Sequence, residues 1–73
     1  MKLKGKQTPF GEACKAARHA ADAVLATTAL VGDAAYDLAL ATVRAKLDAT
    51  TDGYSEEIAR DTAYAALWNS KKF

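Results

Sequence analysis

Small and apolar residues recur at three- and four-residue steps along the first part of the chain, with charged residues on the opposite side. This spacing places the apolar residues on one face of a helix. Thr8 followed by Pro9 is typical of a helix start, with an N-cap residue and a proline in the first turn. We therefore predict a first amphipathic helix over residues 9–31, whose apolar face holds Phe10, Cys14, Ala17, Ala21, Val24, Thr28 and Val31.

The next helical pattern, over residues 34–49, is apolar on two sides. One side carries bulky residues at steps of four, three and four, and the other side is mostly alanine. A helix of this kind needs two neighbours, which are other helices of the same chain or a partner chain. The bulky stripe consists of Tyr36, Leu40, Val43 and Leu47, and the second stripe consists of Ala34, Leu38, Ala41, Ala45 and Ala49.

A third helix is predicted over residues 56–70, after a turn that ends with an N-cap at Ser55. Its apolar arc is broad and rich in alanine. Tyr64 and Trp68, one helical turn apart, lie beside Glu57 and Asp61 at the edge of this arc. The third helix therefore carries two large aromatic side chains at the rim of a core made of small residues.

Two breaks separate these helical patterns, one at Gly32 and Asp33 and one at residues 51–53. We predict an all-α fold, a small three-helix bundle. A long helical hairpin is the alternative, because one glycine inside a helix costs only about 1 kcal/mol, so the first two helices can fuse through Gly32. The expected organisation is a basic N-terminal tail at residues 1–8, a single helical domain at 9–70, and a basic and aromatic C-terminal end at 71–73.

The chain is short and its predicted core is thin. Seventy-three residues are near the lower limit for a fold that is stable by itself. Alanine makes up much of the 51% hydrophobic content, and burying a methyl group removes little apolar area from water. The single cysteine, Cys14, excludes an intramolecular disulfide bond. We therefore expect the bundle to be oligomeric or part of a larger assembly.

Bulky apolar and aromatic residues are the candidates for a protein interface. Aromatic side chains are enriched among the few positions that dominate interface energetics. The bulky stripe of the second helix is a further candidate, because the chain has few large side chains with which to cover it. The predicted interface residues are Tyr36, Leu40, Val43, Leu47, Tyr64, Trp68 and Phe73.

The net charge of +1 hides an uneven distribution. Residues 7–70 carry five Lys and Arg against nine Asp and Glu, a net charge of −4, so the positive charge is concentrated at the two ends. Such ends are consistent with solvated tails, with docking onto a neighbouring copy or another protein, and with a nucleic-acid backbone. The candidate contacts to an anionic partner are Lys2, Lys4, Lys6, Lys71 and Lys72.

The residues that could support metal or catalytic chemistry do not form a complete motif. From Asp48 onward the spacing partly resembles a calcium loop, but the twelfth position, where a bidentate glutamate is needed, is Ala59. One histidine, His19, and one cysteine cannot complete a tetrahedral metal site. We therefore expect no metal, no cofactor and no enzymatic activity.

Length and composition also bear on location. No apolar stretch approaches the roughly 20 residues that span a bilayer, so we predict no membrane span. A lone thiol fits a reducing compartment. The expected location is cytoplasmic, or within an assembled particle.

Together these features predict a non-enzymatic structural or protein–protein interaction subunit, which self-associates or joins a larger complex. Its compact, alanine-rich character would suit a bacterial or phage particle. One alternative is a small phage-type inhibitor that binds a host protein. Another is a nucleic-acid-binding accessory protein that uses its lysine-rich termini.

Overall fold

The computed structural model describes residues 10–50 and 53–72, and within this part three helices pack against one another. Helix α1 spans Phe10–Thr27, α2 spans Gly32–Thr50 and α3 spans Glu56–Ser70. Each helix contacts both of the others. The prediction of an all-α three-helix bundle is confirmed, and the long helical hairpin is wrong, because the chain leaves the helical conformation between α1 and α2. Residues 1–9, including the predicted N-terminal tail, and Phe73 lie outside the described residues.

Helix α1 ends four residues earlier than predicted. The Thr27 hydroxyl donates to the carbonyl oxygen of Val24 at 3.0 Å, and the Leu30 amide donates to the Thr28 hydroxyl at 3.2 Å. Threonine side chains at this point offer local hydrogen bonds that compete with those of the helix. Gly32 then has a φ of +66°, which suits glycine and starts α2 two residues before the predicted position. Val31, predicted on the apolar face of α1, is therefore in the loop.

The core is built mostly from alanine. Its largest fully buried side chains are Leu25, Val43 and Leu47. In α1 the buried stripe is displaced from the predicted one, since Cys14 and Val24 are only partly buried. Small side chains allow helices to approach closely, which compensates in part for the few large ones. The buried residues are Ala13, Ala17, Ala21, Leu25, Ala35, Ala39, Val43, Leu47, Ala59, Ala63, Ala66 and Leu67.

Helix α2 buries one face, not two. The buried positions recur every four residues from Ala35 to Leu47 and lie between α1 and α3. Tyr36 and Leu40 pack at the edge of the core and are partly buried. The second stripe predicted from sequence is mostly open to solvent, with Ala34, Ala41, Ala45 and Ala49 exposed and Leu38 partly buried.

Helix α3 has a defined start and end. The Ser55 hydroxyl accepts a hydrogen bond from the Ile58 amide at 3.2 Å, which confirms the predicted N-cap. At the other end, Lys71 adopts a left-handed conformation with φ of 56°. The Lys71 amide donates to Trp68 and the Lys72 amide donates to Leu67, the pattern of a Schellman motif. Among the described residues, no helix is long and apolar enough to cross a membrane.

Candidate interaction surface

Three aromatic residues lie together across α2 and α3, which we call the aromatic patch: the partly buried Tyr36 and the exposed Tyr64 and Trp68. Tyr64 is 50% exposed and Trp68 is 63% exposed. The ring centroids of Tyr36 and Tyr64 are 4.8 Å apart, with planes tilted by 36°. Since Trp68 follows Tyr64 by one helical turn, the three side chains lie on one side of the bundle. This arrangement agrees with the prediction that Tyr64 and Trp68 lie outside the core.

The last described residues fasten the α1–α2 loop to the end of α3, and we call this contact the C-terminal clasp. The Gly32 amide donates to the carbonyl oxygen of Lys72 at 2.6 Å. The Lys72 ammonium group donates to the carbonyl oxygen of Thr28 at 2.7 Å. Lys72, predicted to contact an anionic partner, therefore has a role inside the chain, whereas Lys71 is exposed.

The clasp places two further apolar residues at the same end of the bundle as Trp68. Leu30 is 44% exposed and Val31 is 59% exposed. Neither residue was an interface candidate from sequence, because both were predicted to lie in the first helix, at residues 9–31. The two threonines were a signal in the sequence. Because Thr27 and Thr28 favour the end of a helix, they place Leu30 and Val31 in a loop.

Two predicted interface residues need correction. Val43 and Leu47 have no exposed surface and pack against the other helices of the chain. Their spacing correctly places both residues on one face of α2. That face packs against the other helices of the same chain, at a close distance that Ala35 and Ala39 allow. The remaining candidates are placed differently: Leu40 is partly buried, and Phe73, Lys2, Lys4 and Lys6 lie outside the described part of the chain.

An ion cluster lies beside the aromatic patch. The Glu56 carboxylate pairs with the guanidinium group of Arg44 on α2 and, at 3.5 Å, with that of Arg60 on α3. These groups are exposed, so the pairs contribute little stability. Both arginines are therefore paired with a carboxylate of the same chain.

The pKa of Tyr36 is raised above its usual value. The main cause is burial, and the neighbouring Tyr64 adds to it. Burial disfavours the charged phenolate, so the ring stays neutral and able to donate a hydrogen bond over the physiological pH range. Tyr36 therefore contributes an uncharged ring to the patch at neutral pH.

Two carboxylates of α2 neighbour Tyr36 in the sequence, Asp33 and Asp37, and both are exposed. In residues 10–50 and 53–72, no ion pair or side-chain hydrogen bond involves either of them.

A groove of about 610 Å³ separates α1 and α3 on another side of the bundle. Lys15 and His19 are exposed at its edge, and Arg18 pairs with Asp22 at 3.8 Å. No group of three or more potential metal ligands occurs within the described ranges. The groove is lined by Gly11, Cys14, Lys15, Arg18, His19, Asp61, Thr62 and Ala65.

Asp48, the first position of the segment that partly resembles a calcium loop, forms a hydrogen bond within the chain. The hydroxyl of Tyr54 donates a hydrogen bond to Asp48 at 2.8 Å. This bond raises the pKa of Tyr54 above its usual value and joins the end of α2 to the turn before α3. Residues 51 and 52 lie outside the description.

In comparisons with known proteins, no family model, curated protein or solved structure matches this chain. The case for function therefore rests on the geometry and charge of the bundle itself.

Proposed function

We propose that this chain is a non-catalytic protein-binding domain, a structural or interaction subunit that contacts another polypeptide through the aromatic patch. The observation that carries the proposal is the exposure of Tyr64 and Trp68 beside a core made largely of alanine. Burying a large aromatic side chain contributes far more to stability than burying a methyl group. A chain selected only for stability as a monomer would be more stable with large side chains in its core and small ones at these exposed positions.

The composition of the surface supports this proposal. Tryptophan and tyrosine are enriched among the residues that contribute most to binding between proteins. Leu30 and Val31 extend the apolar area at the same end of the bundle, and apolar patches of a few hundred Å² on small soluble proteins often mark interaction sites. The patch is also held across two helices by the contact between Tyr36 and Tyr64.

The experiment is to measure the mass of the native particle by light scattering and to identify the chains that co-purify with it. Trp68→Ala should reduce that mass and release the partner, while circular dichroism shows an intact helical fold. The control is Lys46→Ala, which also shortens a long exposed side chain of the bundle. Lys46 follows Tyr36 by ten residues, about 15 Å along α2. A native particle that is a single copy without any partner, or a Trp68→Ala variant that keeps its partner, would refute the proposal.

The same preparation separates the two alternative functions from the proposed one. An inhibitor would also lose its partner in Trp68→Ala, but that partner would be one unrelated protein, whereas self-association or a larger complex gives further copies of this chain or several different chains. A nucleic-acid-binding protein would instead bind a generic duplex at low salt and release it steeply as salt increases. Tight duplex binding that is unaffected by Trp68→Ala would favour the lysine-rich ends as the functional site.

A further inference from the structure

We draw no further inference here: the strongest candidate, the aromatic patch across α2 and α3 with the exposed Leu30 and Val31 at the same end of the bundle, is an apolar surface of this chain, and nothing in the structure shows what covers it.

Discussion

Tyr36 of α2 and Tyr64 of α3 lie with their ring centroids 4.8 Å apart, on an exposed side of the bundle. The two residues are 28 positions apart in sequence, so their contact depends on the packing of α2 against α3. The aromatic patch is therefore a property of the folded bundle and not of a single helix. A partner that recognises all three aromatic residues recognises only the folded chain.

The raised pKa values of Tyr36 and Tyr54 predict a loss of stability in alkali. Both groups hold their protons more tightly in the folded chain than in the unfolded chain, whose tyrosine value is 10.0. The free energy of unfolding should therefore be insensitive to these groups well below that value and fall as the pH rises through it. Urea unfolding at about pH 8 and about pH 11 measures the difference.

Phenylalanine variants provide the control for this prediction. Tyr36→Phe with Tyr54→Phe removes both titrating hydroxyls, so the loss of stability between the two pH values should be smaller than in the unmodified chain. An equal loss in both proteins would assign the alkaline effect to other groups.

Leu47→Ala should lower the free energy of unfolding by about 2–5 kcal/mol, because it opens a cavity at one of the largest fully buried side chains. For a domain of this size that is a large part of the total stability. The same truncation at Leu30, which is 44% exposed, should cost much less. Chemical unfolding followed by circular dichroism compares the two variants, and equal losses would contradict the placement of Leu47 in the core.

Lys71→Gly should stabilise the chain by about 1 kcal/mol. Lys71 has a φ of 56°, a left-handed conformation that costs side-chain-bearing residues about 1–2 kcal/mol and glycine very little. Gly32→Ala is the reverse case, since its φ is +66° and a methyl group would meet no atom within 4 Å. It should destabilise the chain through backbone strain alone. Thermal unfolding measures both variants, and a shift of the same sign in both would refute the explanation.

Lys72→Met should loosen the C-terminal clasp while keeping the length of the side chain. The variant loses the hydrogen bond between the ammonium group and Thr28, so the Gly32 amide, which donates to the Lys72 carbonyl oxygen, should exchange its proton faster. Lys71→Met, at the exposed neighbouring position, is the control and should leave this amide unchanged. Hydrogen exchange followed by NMR distinguishes the two. Unchanged protection of Gly32 in Lys72→Met would show that the backbone contact is sufficient.

The helices, their number and most of their ends follow from sequence. The N-cap at Ser55 and the exact span of α3 were predictable, because capping and propensity act over a few residues. The early end of α1 was harder to predict. The apolar pattern continues past Thr27, but the hydroxyls of Thr27 and Thr28 form local hydrogen bonds that compete with those of the helix.

For the candidate site, the exposure of Tyr64 and Trp68 was predictable from their position at the edge of an alanine-rich arc. The burial of Val43 and Leu47 was not, because periodicity identifies an apolar face without showing what covers it. Tyr36 was selected as part of the stripe on α2, but its contact with Tyr64 could not be derived from spacing on one helix.

The sequence by itself determined where helices form, how they are capped and where charge is concentrated, because these properties depend on neighbours along the chain. Only the tertiary structure decided which face of α2 is covered, that Lys72 fastens the loop, and that aromatic residues from two helices meet beside Asp33. Those features arise from contacts between distant segments, where alanine on one helix sets how closely the next can approach.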